Sequence, residues 1–223
     1  MLEALASQLR QLLPEGVACA VEAPVCAPER LLGEELAAVA GVIPKRCGEF
    51  VGGRVAARAA LAALGVAPVA LPPGPQRAPL WPAGLSGSIS HASDVCVAVA
   101  ARAERFAALG VDVEGAAPLD PKLWRRVLTP EEQAQIEAAP EDERGGLAKL
   151  VFSLKEATYK CQHPLTGRFL GFQEVVVRWD PGAGAFEARV LAADGGPTPA
   201  MVIRGRYARV GEHLVSVALI PVP

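Results

Sequence analysis

Aromatic residues are scarce in this 223-residue chain, at 5% of positions, and histidine occurs three times. A core with so few large rings must be filled by small and branched aliphatics, and 51% of the residues are hydrophobic, chiefly Ala, Val and Leu. None of these residues gathers into an apolar run approaching the roughly 20 positions a membrane-spanning helix needs, so no membrane association is expected. An excess of one charge is also missing. The 22 Lys and Arg stand against 24 Asp and Glu, a formal net charge of −2, which leaves no footprint for general nucleic-acid binding. The five cysteines, Cys19, Cys26, Cys47, Cys96 and Cys161, are odd in number and scattered. They match neither a zinc site nor a disulfide framework, and the expectation is unbridged thiols in a reducing cytoplasm. The N-terminal stretch Met1-Leu2-Glu3-Ala4-Leu5-Ala6-Ser7-Gln8-Leu9-Arg10 lacks a basic segment before an apolar run and reads as an amphipathic helix, not a signal peptide.

The length suits one large domain or two small lobes, either able to bury a core. In order, the pattern predicts a helix over 1–13 and a strand Val17–Glu22. A second helix is expected from Pro28 to about Val39, and a third from Lys45 to Leu64, opened by Pro44 and closed by Gly65. Six prolines between 66 and 84 demand an extended loop. A strand follows at Val95–Ala100. Thr129-Pro130-Glu131-Glu132 carries a capping box with proline at the first helical position, and Pro140–Gly146 reads as a polar break before another helix. Four strands are expected at Glu174–Trp179, Phe186–Leu191, Met201–Tyr207 and Leu214–Leu219.

The chemistry-bearing residues sit in separated segments. Leu109-Gly110-Val111-Asp112-Val113-Glu114 reads as a strand with Asp112 and Glu114 on one face and Val111 and Val113 on the other. Two carboxylates so placed repel each other unless a cation lies between them. Phe152-Ser153-Leu154-Lys155-Glu156-Ala157-Thr158-Tyr159-Lys160 reads as helix, with Glu156 and Lys160 on one side. Singly, the first is the wet face of a sheet and the second a surface ion pair worth about 0.2–0.5 kcal/mol. Together, Asp112, Glu114 and Glu156 make an oxygen-rich set for a hard cation such as Mg2+, with Lys155 and Lys160 adding charge for phosphates. Arg46, Arg54 and Arg58 recur at multiples of four along the third helix, either a solvated stripe or a phosphate-binding one. Small residues in Ser86-Gly87-Ser88-Ile89-Ser90-His91 would let backbone approach a ligand.

Gly110-Val111-Asp112-Val113-Glu114 followed by Phe152-Ser153-Leu154-Lys155-Glu156-Ala157-Thr158-Tyr159-Lys160 resembles the paired signature of the 4'-phosphopantetheinyl transferases. The likeness is to the monomeric, two-lobed type that serves siderophore, non-ribosomal peptide and polyketide synthases. Lys45-Arg46-Cys47-Gly48-Glu49-Phe50-Val51-Gly52-Gly53-Arg54-Val55-Ala56-Ala57-Arg58, Arg77-Ala78-Pro79-Leu80-Trp81-Pro82 and Gly87-Ser88-Ile89-Ser90-His91 resemble further segments of that family. The likeness runs from about Lys45 to Phe172.

The resemblance implies a Mg2+-dependent enzyme, with Mn2+ as an alternative, that transfers the 4'-phosphopantetheine arm of coenzyme A to an apo acyl or peptidyl carrier protein and releases 3',5'-ADP. Asp112, Glu114 and Glu156 would hold the metal. Glu156 would also be the base, Lys155 would orient or brace the site, and Lys160 would neutralise charge on the leaving side. Arg46, Arg54, Arg77, Ser90, His91, Asp112, Lys155 and Lys160 would contact coenzyme A. Arg58 fits the pattern but can be structural, Trp81 reads as a packing anchor, and His163 and His213 receive no role. Lys122, Arg125 and Arg126 are docking candidates for an acidic carrier helix. The implied fold is α+β, a monomer of two pseudo-symmetric α/β lobes, residues 1–108 and 109–223, with the ligand in the cleft between them. Two alternatives use the same residues: a Mg2+-dependent phosphohydrolase or nucleotidyl transferase, and a coenzyme A- or carrier-binding protein without turnover.

Overall fold

Leu5, Leu9 and Leu12 recur at helical spacing, and in the computed structural model, which describes residues 1–192 and 201–222, they are the buried stripe of helix α1 (Leu2–Leu12). Strand β1 (Val17–Glu22) follows. The helix expected from Pro28 to Val39 is replaced by two 3-10 turns, Pro28–Arg30 and Gly33–Val39, with Gly33 at a φ of +50° opening the second. That left-handed residue cannot continue a right-handed helix. Glu35 anchors the second turn from full burial: its carboxylate accepts the Leu32 and Leu71 N–H groups at 2.8 and 2.7 Å and pairs with Arg58 at 2.8 Å. Arg58 is thus structural, as one of its two readings had it.

Helix α2 (Pro44–Ala63) begins at its proline, and Gly65 follows it at a φ of +75°. The expectation of unbridged cysteines is overturned: Cys26 and Cys47 form a disulfide that ties the chain after β1 to the first turn of α2, with Cα atoms 5.0 Å apart. Cysteine spacing carries no record of which chain segments the fold brings side by side, and the bridge removes the thiol-based support for a cytoplasmic setting.

Strands β2 (Leu85–His91) and β3 (Cys96–Arg102) complete an antiparallel sheet of order β1-β3-β2 with α2 against it. The next strand, β4 (Phe106–Gly115), instead edges a five-stranded antiparallel sheet. Helices α3 (Trp124–Val127), α4 (Pro130–Glu137) and α5 (Glu141–Thr166) intervene before strands β5 (Val175–Asp180), β6 (Ala185–Val190), β7 (Met201–Val210) and β8 (His213–Pro221), and the sheet order is β4-β8-β7-β6-β5. The architecture is α+β. A boundary at 108/109 falls inside β4, which pairs with β8 on both sides of it, so the change of sheet lies in the turn between β3 and β4 instead. No helix among the described residues is long and apolar enough to cross a membrane.

The capping box at α4 forms as expected, Thr129 accepting the Glu132 N–H at 3.4 Å and Glu132 accepting the Thr129 N–H at 2.8 Å. The polar break expected at 140–146 is helical, the first turn and a half of α5. Glu141, Asp142 and Glu143 lie at its positive end. A side chain on Gly145 would meet Pro118 at 2.7 Å, and Gly145 accepts the Leu119 N–H at 3.0 Å.

Aliphatic packing joins these layers. Leu154, Ala157 and Cys161 of α5 meet Val177, Phe186 and Ile203 on one face of the five-stranded sheet. On the other face Val111, Val113, Val215 and Val217 meet Leu5 and Leu9 of α1 and Val97 and Val99 of β3. Gly110 lets β4 and α5 touch: a Cβ there would lie 1.9 Å from the Ala157 carbonyl oxygen and 2.7 Å from the Cys161 nitrogen. Backbone cannot yield as a flexible side chain can, so Gly110→Ala is expected to cost about 3 kcal/mol or more in urea unfolding. Stability equal to the parent's would exclude this contact.

Candidate functional site

Ser86, Ser88 and Ser90 alternate along β2 and share one face, and all three are buried. They meet the outer edge of β4. The Ser86 hydroxyl donates to the Phe106 carbonyl at 2.7 Å, while Ser88 and Ser90 accept the N–H groups of Val111 and Val113 at 3.1 and 3.2 Å. Ser90 then donates to Asp112 Oδ1 at 3.1 Å and accepts from the Lys160 ammonium at 2.8 Å. Its hydroxyl is therefore engaged within the protein, where a direct phosphate contact had been expected.

Asp112 is 2% exposed and held on both oxygens. Lys160 Nζ lies 2.7 Å from Oδ1; Oδ2 accepts the Ser153 hydroxyl at 2.8 Å, and Ser153 is 2.5 Å from Ser216. Register puts Ser216 directly opposite Asp112 across β4 and β8. Glu114 pairs with Lys149 at 3.1 Å. The carboxyl of Glu114 titrates above its usual range because burial penalises its charge and Asp112 repels it, with Lys149 opposing. Glu156 is raised too, first by burial and then by Asp112 and Glu114, against the pull of Lys160. The three expected metal ligands thus lie in one electrostatic field around Lys160. Their donor chemistry fits a hard cation, since Asp112 raises the cost of ionising Glu114, and both raise that of ionising Glu156. As the side chains stand, no three His, Cys, Asp or Glu groups among the described residues are gathered closely enough to hold a metal, and lysine ammoniums occupy oxygens of Asp112 and Glu114.

At the end of β2, His91 Nε2 lies 3.2 Å from Arg46 Nη1, and Arg46 also pairs with Glu49 at 3.1 Å. Burial lowers the imidazole pKa, and although Glu49 pulls it upward, Arg46 and Lys160 push it further down, which favours a neutral ring accepting from the guanidinium. Arg46 with His91, and Ser90 with Asp112 and Lys160, therefore form two bonded sets, and the charges of Lys160 and Asp112 act on the His91 ring.

Arg54 and Lys155 stand outside these sets. Arg54 is buried over the Phe50 ring, donates to the Leu71 carbonyl at 2.6 Å, and burial lowers its pKa to about 10. Lys155 is 2% exposed and faces Glu132, 2.7 Å away.

Two adjoining cavities lie nearby, one reached by Lys160 and the other by Glu156. The larger, about 650 Å3, is lined by Arg77, Trp81, Ser86, Ser88, Tyr159 and Lys160 among others. Arg77 has a φ of +66°, a conformation that favours glycine, and such strain often accompanies ligand-binding segments. Trp81 covers Gly87, where a Cβ would meet its ring at 2.5 Å, in keeping with a packing anchor. His163 is on this cavity's rim, its ring 5.3 Å from that of Tyr159, and His213 pairs with Asp94 at 2.8 Å. The smaller cavity, about 440 Å3, is lined by Arg126, Glu156, Tyr159, Phe169 and Phe172 with Lys155 in its wall. Tyr159 belongs to both. Lys122, Arg125 and Arg126 are exposed, on the 3-10 turn Pro121–Leu123 and on α3, and Arg126 lines the smaller cavity.

Sequence reasoning missed Lys149, Ser153, Ser216, Glu49 and Glu132. The one available signal was for Lys149 and Ser153, which share a helix face with Glu156 at three- and four-residue spacing.

Comparison with known proteins agrees with the motif resemblance. A family model described as the 4'-phosphopantetheinyl transferase N-terminal domain matches residues 34–101, and one described as the 4'-phosphopantetheinyl transferase superfamily matches 108–201. The chain is 41% identical to 4'-phosphopantetheinyl transferase Svp of Streptomyces mobaraensis, over 85% of this chain and 78% of that protein. It is 37% identical to Npt of Nocardia iowensis, over 76% of this chain and 80% of that one. Identity to PptT of Mycobacterium tuberculosis is 34%, over 85% of each chain.

The raised pKa of Glu156 has a signed consequence. A carboxyl whose folded pKa exceeds its unfolded value contributes stability below the ordinary value of 4.5, and that contribution is lost as pH rises through the folded pKa. Glu156→Gln should therefore melt at a higher temperature than the parent at about pH 7.5, with the difference closing toward about pH 4. A pH-independent difference would contradict the burial of this charge.

Proposed function

Because this chain belongs to the 4'-phosphopantetheinyl transferase superfamily, we propose that it moves the 4'-phosphopantetheine arm of coenzyme A onto a serine hydroxyl of an apo carrier protein, with 3',5'-ADP as the second product. The observation that carries this reading is the Asp112–Lys160 pair at 2.7 Å, in one electrostatic field with Glu114 and Glu156, where Lys160 lines the larger cavity, Glu156 lines the smaller one and Tyr159 lines both. Coenzyme A is long and carries its diphosphate between two dissimilar ends. Two adjoining cavities, one reached by the Lys160 ammonium and the other by the Glu156 carboxylate, suit that shape.

In this reading Arg46, Arg77 and His91 take the nucleotide's phosphates. Arg54 and Ser90 act on those contacts from within the protein. Asp112, Glu114 and Glu156 would hold Mg2+, or Mn2+ in its place, once their lysine partners yield. A bound divalent ion would neutralise diphosphate oxygens. The carrier serine oxygen forms a new bond to the β-phosphorus, the bond from that phosphorus to the bridging oxygen breaks, and the leaving oxygen departs with 3',5'-ADP. Glu156 receives the serine proton, directly or through a water, and burial equips it by raising its proton affinity. Lys160 offsets the negative charge growing on the leaving oxygen.

The two sheets with their helices serve as the two lobes, meeting along β2 and β4, with coenzyme A in the cleft between them. Exposed Lys122, Arg125 and Arg126 offer a basic rim for an acidic carrier helix, as carriers of polyketide, non-ribosomal peptide and siderophore synthases present. The protein would act as a monomer.

The test is incubation with coenzyme A, Mg2+ and a set of apo carrier proteins, followed by weighing the carriers. A gain of one phosphopantetheine arm is expected, and Asp112→Asn should slow transfer by on the order of 100-fold or more with the fold kept. Transfer by that variant at the parental rate would remove Asp112 from the chemistry. Carriers left unmodified by the parent would remove the function.

A further inference from the structure

Lys155 sits next to Glu156 in sequence, yet its ammonium points into the protein. Its three donors have three acceptors: the Glu132 carboxylate at 2.7 Å, the Val127 carbonyl at 2.8 Å and the Phe172 carbonyl at 2.8 Å. Glu132 is 1% exposed and is itself saturated, accepting the Thr129 and Val177 N–H groups, each at 2.8 Å. One buried ion pair thus joins α5 to the end of α3, the start of α4, the 3-10 turn Phe172–Glu174 and strand β5. Two of those attachments frame the 440 Å3 cavity. Arg126 precedes Val127 and lines it, as do Phe172 itself and Glu156.

We propose that Lys155 is a positioning residue and not a group that touches coenzyme A: paired with Glu132, it fixes the wall of the cavity that Glu156 lines. A lysine with all three protons committed has none to offer a phosphate. Extracting it would strand Glu132 as an uncompensated buried charge, a strongly unfavourable change. The pair instead holds α3 and the Phe172 turn at a set distance from the proton acceptor. The motif's first lysine thereby acts through Glu156 and the cavity shape, while the second, Lys160, is the cation at the charged node.

The kinetic arm of the test rests on the transferase reading; the spectroscopic arm does not. With lysine ammoniums labelled for NMR, the Lys155 signal should exchange slowly with water, shift in Glu132→Gln and stay in place when coenzyme A is added. In carrier modification, Glu132→Gln, Lys155→Met and the double variant should each lose about tenfold in kcat with the KM for coenzyme A unchanged, the double being no worse than the poorer single. A Lys155 signal that moves with coenzyme A but not with Glu132→Gln would overturn the proposal. So would Glu132→Gln at parental kcat beside an inactive Lys155→Met. If the parent modifies no carrier, the function falls and the NMR result alone decides the role of Lys155.

Discussion

Serine hydroxyls along β2 give the edge of β4 what a neighbouring strand would otherwise supply. β4 is the outer strand of its sheet, and the N–H groups of Val111 and Val113 point away from β8. Left bare inside the protein, each would cost about 1–3 kcal/mol. Ser88 and Ser90 satisfy them through side chains, so the two sheets join without merging into one. The cost of that device is tolerable because a hydroxyl has capacity to spare: after accepting from Val113, Ser90 still donates to Asp112 and accepts from Lys160. The seam between the sheets and the charged node are therefore the same set of bonds.

The protein keeps its buried and half-buried charges in pairs. Lys160 faces Asp112, Lys149 faces Glu114, Arg58 faces Glu35 and Lys155 faces Glu132. These pairs differ in what they leave over. Glu35 and Glu132 spend their remaining oxygen capacity on backbone N–H groups, which makes them parts of the scaffold. Glu114 and Glu156 keep raised pKa values, first from burial and then from the repulsion of neighbouring carboxylates, which Lys149 and Lys160 offset only in part. Charge held at such a cost within a packed structure disfavours folding, and it concentrates where function requires it.

Much of this was legible in the residues. Capping chemistry located α4, prolines and glycine bounded α2, and alternation located β4 and the strands after Phe172. Period two on a strand set Asp112 beside Glu114 and period 3.6 on a helix set Glu156 beside Lys160, while the meeting of strand and helix was implied only by the motif resemblance. What was hidden depends on partners distant in sequence. Ser90 reads equally as a ligand contact or a strand cap, because nothing local says which face of β2 meets β4. Lys155 and Lys160 look alike on one helix until Glu132 is known to lie beneath the first. Arg54 falls on the arginine stripe by spacing but is covered by the loop carrying Leu71, and the Cys26–Cys47 bridge needs the fold that brings its ends together.

Amide hydrogen exchange at Val111 and Val113 probes the seam most directly. A serine-capped, buried edge predicts that both amides exchange only with global unfolding, as slowly as the central amides of β8, and that Ser90→Ala releases Val113 while Val111 stays protected. Exchange of both at the rate of a solvent-exposed strand edge in the parent protein would contradict the joining of the two sheets at this site.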